Sequence, residues 1–294
     1  MGNDQQGADP VTVREAVAAA YGKLVSGQQR CCRDSDAGSC CGATAEVIGY
    51  RQEDLSSVPA GVDAPSFGCG NPLAFSDVQE GQTVVDLGAG AGLDLLIAVE
   101  RVGPSGHVIG VDMTDEMIDK ARRNVAAAGH ANVEVRKGLI EDLPVESGTA
   151  DWVISNCVIN LSPEKNRVFA EIARVLTAGG RMLVSDIVVH DLPGWVRESL
   201  AALAGCVGGA ISEEEYVAGL RDAGLSEVEV RERRTYTAAE LQAYFVSSDV
   251  LGEGLASEAC CGRDSGEAAK RITEELGGKI ASIKVFARKP SRGA

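Results

Sequence analysis

The chain has little of several features on which whole classes of protein depend. Only 3 of its 294 residues are histidines. His107, His130 and His190 accompany no serine or cysteine elbow, which disfavours a Ser-His-Asp or Cys-His hydrolase. Basic residues are outnumbered: 28 Lys and Arg face 43 Asp and Glu, a formal charge of −15 with no long basic run. Such a surface works against attraction to a phosphate backbone, so nucleic acid is not an expected partner. No apolar stretch approaches the roughly 20 residues that cross a bilayer. The opening MGNDQQGADP has no basic stretch followed by an apolar one, and Gln6 stands where a myristoylation signal needs Ser or Thr. A cytoplasmic protein, not bound to a membrane, is expected. No heptad stripe is present, so a monomer is expected, and there is no solenoid period, although CCRDSD at Cys31 and CCGRDSG at Cys260 are faintly alike.

Cysteine, by contrast, is plentiful: 9 residues, an odd number. Without an export signal a reducing compartment keeps them as thiols, and ligand or redox roles rank above a disulfide scaffold. CxxC pairs at zinc-ribbon spacing are absent, so no permanent metal is expected. The thiols instead fall into the vicinal pairs Cys31-Cys32, Cys40-Cys41 and Cys260-Cys261, plus three singles, Cys69, Cys157 and Cys206. The N-terminal pairs are read either as a capture site or as incidental thiols of a tail, and Cys260-Cys261 has the same ambiguity.

From about Thr83 to Val189, short apolar runs alternate with helical patterns. TVVDL, HVIGVD, NVEVRKG, DWVISN and RMLVSDIVV read as strands of a parallel sheet built from βαβ units. Thr114 caps a helix that ends near Gly129, and Ser162-Pro163 opens another that runs to Gly179-Gly180. A helix is expected around Val11 to Val25. Ser212-x-x-Glu215 and Thr237-x-x-Glu240 are capping boxes, while VEVRERR and ASIKVFARK are late strands. The expected fold class is α/β, a Rossmann-like sheet with extensions on both sides. Residues 1–75 form a helical and cysteine-rich segment, 76–190 the nucleotide-binding core, and 191–294 an α+β region that completes the sheet and the substrate site.

DLGAGAGLD follows the first strand and opens a helix, placing Asp86, Gly88, Gly90 and Gly92 in the pattern D-x-G-x-G-x-G. Glycines keep such a turn tight and let the backbone approach a ligand at the carboxyl ends of the strands. Leu93 occupies the last position of G-x-G-x-x-G, which disfavours a dinucleotide and favours S-adenosylmethionine. The next strand ends in Asp112, whose carboxylate suits both ribose hydroxyls. In GLIEDL, Ile140 is a candidate to cover an adenine face beside Glu141.

Strand four ends in SNCVINL, where the acceptor of a methyl group would sit. Enzymes that methylate amino groups often carry Asn/Asp-Pro-Pro-aromatic here, which Ser155-Asn156-Cys157-Val158 does not match. A free cysteine can simply be a small apolar residue. Cys69 in SFGCGNP and Cys206 in LAGCVGGA, however, are also flanked by glycine. Three thiols in segments built for close approach point to a site for a soft, thiophilic ion.

With DLGAGAG, GVDMT, GCGNP, SNCVINL and CVGGA in view, the chain resembles the arsenite methyltransferases of the S-adenosylmethionine-dependent class I family, from about Tyr21 to Ala210. The resemblance implies that Cys157 and Cys206 are the thiolates that hold trivalent arsenic, with Cys69 as a third, mobile thiol. It implies that Asp86, Gly88, Gly90, Asp112, Met113, Ile140 and Glu141 line the cofactor site. It also implies arsenite or its thiol conjugates as substrate, for detoxification, with a reductant of the glutathione or thioredoxin type. A further family cysteine nearer the N-terminus has four candidates here: Cys31, Cys32, Cys40 and Cys41. The rival readings are a methyltransferase of a small organic acceptor such as a quinone precursor, and a thiol-rich metalloid binder without catalysis.

Overall fold

The computed structural model describes residues 9–25, 50–56, 58–59, 62–66, 68–74, 76–191, 193, 206–237, 240–241 and 274–291. The three vicinal cysteine pairs lie outside them. Seven strands form one sheet in the order β3-β2-β1-β4-β5-β7-β6. They are β1 (Thr83–Leu87), β2 (His107–Asp112), β3 (Val133–Lys137), β4 (Ala150–Asn156), β5 (Leu176–Val189), β6 (Ser226–Thr235) and β7 (Ile280–Arg288). The first five pair in parallel, and β7 runs antiparallel between β5 and β6. The fold is thus the expected Rossmann-like one, with the two late strands completing the sheet.

The central strands are covered on both faces, and this is why their sequences are continuous apolar runs instead of alternating ones. On one face Val85, Val153 and Val184 pack under α5 (Lys165–Val175) and α6 (Glu213–Asp222) through Phe169, Ile172, Tyr216 and Leu220. On the other, Val84, Trp152 and Leu183 meet α3 (Leu93–Val102), together with Tyr50 and Leu73 from the segment preceding the sheet. Edge strand β6 alternates half-buried and exposed residues from Ser226 to Arg231, as a strand wetted on one face must. The first two helices are α1 (Pro10–Val25) and α2 (Gln52–Ser56), and α4 (Asp115–Ala128) joins β2 to β3. Among the described residues no helix is long and apolar enough to cross a membrane.

Most local signals act as expected. Helix α4 starts after Thr114, although that hydroxyl makes no capping bond, and stops at Gly129, whose φ of 78° suits glycine. The Ser212 hydroxyl accepts from the Glu215 amide at 3.1 Å while the Glu215 carboxylate accepts from the Ser212 amide at 2.9 Å, closing the capping box. Thr237 and Glu240 repeat it at 3.2 and 2.8 Å. Ser162-Pro163 behaves differently. A 3-10 turn, Ile159–Leu161, comes first, and α5 begins only at Lys165. The Ser162 hydroxyl does accept from the Glu164 amide at 3.0 Å, but it donates to Glu141 at 2.7 Å, so it serves the neighbouring cleft as well as the turn. Helix α5 also ends earlier, because the backbone extends from Leu176 and carries Gly179-Gly180 into β5.

Candidate active site

At the carboxyl ends of β1, β2 and β4 the chain lines an open cleft of about 900 Å³, counted with the solvent at its mouth. Its floor is the glycine turn. Gly88 and Gly90 have φ of 69° and 51°, and a Cβ on Gly88 would lie 2.4 Å from a Val158 methyl. A side chain there would fill the space against which the turn closes. The amides of Gly88 and Ala89 both donate to the Val111 carbonyl, at 2.7 and 3.1 Å. The Asp112 carboxylate accepts from the Gly90 and Thr114 amides, at 3.0 and 2.9 Å, tying the turn to the end of β2. Both Asp112 and Met113 line the cleft.

Asp86 and Gly92 do not reach that wall. Asp86 lies on β1 beneath the turn, 2% exposed. Gly92, with φ of 92°, precedes α3, where a Cβ would press on Ala121 at 3.4 Å. The cleft is nevertheless strongly acidic. Burial, then repulsion by Asp94 and Asp112, pushes the Asp86 carboxyl well above the usual carboxylate range. Burial also raises Asp94, to about 6, and lifts Asp112 against the pull of the Thr114 and Gly90 amides. Carboxylates crowded in this way favour a cationic ligand.

Ile140 and Glu141 lie on the same wall. Glu141 is engaged from the chain's beginning: Arg14 on α1 donates to it at 3.1 and 3.2 Å and also pairs with Glu164. Arg14, Val17 and Tyr21 thereby bring α1 to the cleft, to which a sequence reading alone did not assign them. Asp94 and Asn156 are also additions, and Tyr50 stands behind them, bonded to both. Asp94 could have been found, since it stands inside DLGAGAGLD at the first turn of a helix. Arg14 and Tyr50 carry no local signal, because only the tertiary fold brings them here.

The three single cysteines come from three distant segments and meet at the cleft's end, where Cys157 and Cys206 are buried with Ile187, Val189, Val207 and Ile280, and Cys69 packs against them. The Cys206 thiol donates to the Cys157 carbonyl at 2.7 Å, Tyr21 lies 3.9 Å from the same sulfur, and the Cys69 thiol lies 3.7 Å from the Ser185 hydroxyl. Burial, then the neighbouring thiols of Cys206 and Cys69, pushes the Cys157 thiol well above its ordinary range, so at neutral pH it is protonated. Cys157 thus differs from the expected thiolate, because an apolar pocket penalises the charged form. In this arrangement no three His, Cys, Asp or Glu side chains among the described residues are set as a metal site. A common ligand requires the thiols of Cys206 and Cys69 to turn from their present partners.

Two of the three thiols sit on strained backbone. Cys157 and Cys206 have φ of 62° and 64°, in the left-handed region that L-residues other than Asn and Asp rarely enter. Such strain, of order 1–3 kcal/mol, persists where the surroundings over-determine it. Here the Cys157 amide donates to the Ser185 carbonyl at 2.7 Å, and Cys206 is held by its bond to the Cys157 carbonyl. By contrast, His107 and His130 pair with Glu134 and Glu100 away from the cleft, at 2.9 and 3.4 Å.

A family profile described as a methyltransferase domain matches residues 78–224. The chain is 46% identical over 233 residues to an arsenite methyltransferase of Halobacterium salinarum, covering 76% of this chain and 59% of that protein. It is 36% identical to one of Aquipseudomonas alcaligenes, over 68% of this chain and 58% of that protein. The chain thus spans less than two thirds of the length of these two relatives. Among solved structures, an arsenic(III) S-adenosylmethionine methyltransferase of Chlamydomonas reinhardtii superimposes with a TM-score of 0.64 at 31% identity, over 82% of this chain and 74% of that one. With a matching methyltransferase domain over half its length, and relatives of one kind over most of it, the chain belongs to the arsenite methyltransferase family.

Proposed function

We propose that this chain methylates trivalent arsenic held by the thiols of Cys69, Cys157 and Cys206, using S-adenosylmethionine, as a monomeric detoxifying enzyme of the cytoplasm. The observation that carries the reading is the meeting of three thiols from distant segments at the end of an acidic, glycine-floored cleft, with Cys157 on the wall common to both.

The cleft suits the cofactor. Asp112 would hold the ribose hydroxyls, Ile140 and Met113 would flank the adenine beside Glu141, and the glycine turn leaves backbone room that a Cβ on Gly88 would remove. The carboxylates of Asp94 and Asp112 on the cleft wall favour a positively charged ligand. When bound, S-adenosylmethionine supplies an electrophilic methyl group on a sulfonium.

The thiols do the rest. Arsenous acid exchanges its three hydroxyl groups for three cysteine sulfurs: each As–O bond is replaced by an As–S bond, and each thiol proton leaves in a water molecule. The raised pKa of Cys157 therefore does not obstruct binding, because no free thiolate has to build up in the apolar pocket. Arsenic keeps its lone pair, and thiol anchoring on the shared wall holds it toward the cleft, where alignment of the reacting atoms supplies much of the acceleration. No general base is required, since the attacking atom carries no proton. Methylation raises arsenic to the pentavalent state. The As–S bonds to Cys69 and Cys157 then break as the two sulfurs join in a disulfide, leaving two electrons on arsenic; water fills the vacated position and releases a proton, and a thiol reductant of the glutathione or thioredoxin class reopens the disulfide.

The test is to incubate the reduced protein with arsenite, labelled S-adenosylmethionine and a thiol reductant, and to separate arsenic species by chromatography with elemental detection. Methylated arsenic is expected, with a loss of at least about 100-fold in Cys157→Ser, the cost of misplacing one reacting partner. Equal product from the variant would refute the assignment of the ligand. No product from wild type with cofactor bound would point to an organic acceptor.

A further inference from the structure

Of the three thiols only Cys157 lines the cleft; Cys69 lies behind Gly68 and Asn156. A continuous hydrogen-bonded chain nevertheless joins the cleft to the Cys69 turn. The Tyr50 hydroxyl donates its one proton to Asp94, with its oxygen 2.9 and 3.0 Å from the two carboxylate oxygens. Its oxygen must then accept, and it does so from the Asn156 amide nitrogen at 2.8 Å. That nitrogen also donates to the Gly70 carbonyl at 2.6 Å, which leaves the Asn156 side-chain oxygen facing the other way. There it accepts from the backbone amides of Cys69 at 3.0 Å and Gly70 at 3.2 Å. The direction of every bond is fixed by the one before it.

The turn is fitted to this chain. A Cβ on Gly68 would lie 2.1 Å from the Asn156 side chain, and one on Gly70 would lie 2.1 Å from the Ser185 hydroxyl. Beyond the turn, Asn71 donates to Asp54 at 3.1 Å and Arg101 donates to Asp54 and to the Leu73 carbonyl, anchoring that side independently to α3. The Cys69 backbone therefore takes its position chiefly from Asn156, with further contacts from Ser282 to the Cys69 carbonyl at 3.2 Å and between the Cys69 thiol and the Ser185 hydroxyl at 3.7 Å. Both Asp94 and Asn156 line the cleft, so a ligand there touches the chain at two of its members.

We propose that Tyr50 and Asn156 are positioning residues that couple occupancy of the cofactor cleft to the placement of the Cys69 thiol. This rests on the reading of the cleft as a cofactor site. A ligand that contacts Asp94 fixes the carboxylate to which Tyr50 donates, and so fixes the Tyr50 hydroxyl. A hydroxyl that donates to a carboxylate is a better acceptor for Asn156. Asn156 then grips the Cys69 and Gly70 amides, and the third thiol stands ready when the methyl donor is bound.

Iodoacetamide labelling of Cys69, resolved by peptide mass spectrometry, tests the coupling in the full chain with and without S-adenosylhomocysteine. In wild type the ligand should slow labelling about 5-fold or more, the low end of linked equilibria. In Tyr50→Phe, which keeps the buried ring and removes the hydroxyl, protection should vanish while calorimetry still registers S-adenosylhomocysteine binding. A direct steric shield would survive that substitution. In turnover, Tyr50→Phe should raise KM for arsenite more than KM for S-adenosylmethionine, whereas general loss of structure would affect both. Asn156→Ser serves as a second variant with the same expected loss of protection, should the first fold poorly. Protection unchanged in either variant, or absent in wild type although the ligand binds, would overturn the coupling alone. Failure of wild type to bind S-adenosylhomocysteine would overturn the cofactor reading, and the coupling with it.

Discussion

The two halves of the candidate site are built in opposite ways. The cofactor half is local: one strand, one glycine turn and the end of the adjacent strand lie within Asp86 to Met113, and the backbone amides of Gly90 and Thr114 organise it around Asp112. The thiol half draws on residues 69, 157 and 206, and holds two of its three cysteines at positive φ inside an apolar pocket. A nucleotide-type ligand is recognised by many weak contacts that a compact motif can supply. A three-coordinate ion needs donors converging from different directions, and no single loop provides them. Distributed sites accept strain and burial in exchange for that convergence.

If the halves are separable, each can be damaged alone. The largest effect on binding alone is expected from Asp112→Asn, which replaces a carboxylate between two amide donors by a group with one acceptor and leaves one of those amides facing an NH₂. S-adenosylhomocysteine affinity should fall by about 10-fold or more, the cost of a buried unpaired polar group. Arsenite affinity in the absence of cofactor should stay within about twofold; calorimetric titration of each ligand measures both. Next comes Gly68→Ala, which drives a methyl group into the Asn156 side chain. Arsenite affinity should fall several-fold through misplacement of Cys69, and thermal unfolding should report about 1–3 kcal/mol lost to overpacking. An unchanged arsenite affinity would separate Cys69 from the thiol half.

The smallest effect expected is no effect. Cys157 has its folded pKa raised, so the thiol is protonated below and through neutrality, and exchange with arsenous acid releases water without net proton uptake or loss. Arsenite affinity should therefore be flat between about pH 6 and 8, by proton linkage. A tenfold rise per pH unit would mean that a thiolate must form before the ion binds. The carboxyl of Asp94 gives the opposite contrast. Its folded pKa of about 6 lies above the unfolded value, so its burial leaves stability intact at low pH and costs stability as pH rises from about 4 through 6. A cationic ligand in the cleft opposes that loss.

The same contrast explains what could be read from the chain. Five parallel strands, α4 and both capping boxes follow from periodicity and caps, because each is a short-range decision. Gly88, Gly90, Asp112 and Ile140 were legible because strand, turn and helix signals adjoin them. The cysteines were legible as types flanked by glycine, but not as neighbours, and nothing in SNCVINL announces that Cys157 takes a positive φ or rests as a thiol. Asn156 was visible only as a strand end; its four hydrogen bonds depend on Tyr50 and on the turn at Cys69, which lie 106 and 87 residues away. Arg14 reaches Glu141 across 127 residues, beyond any local pattern. The late start of α5 has a local cause that only the fold discloses: Ser162 is shared with Glu141.

Arsenic K-edge X-ray absorption tests the central claim most directly, with one equivalent of arsenite bound to the reduced chain and to Cys69→Ser, Cys157→Ser and Cys206→Ser. Three sulfur neighbours around arsenic in wild type, and one fewer in each variant, are predicted. An arsenic shell with the same sulfur count in wild type and in Cys157→Ser would contradict the account, because the ion would then be held by thiols other than the three that the fold brings together.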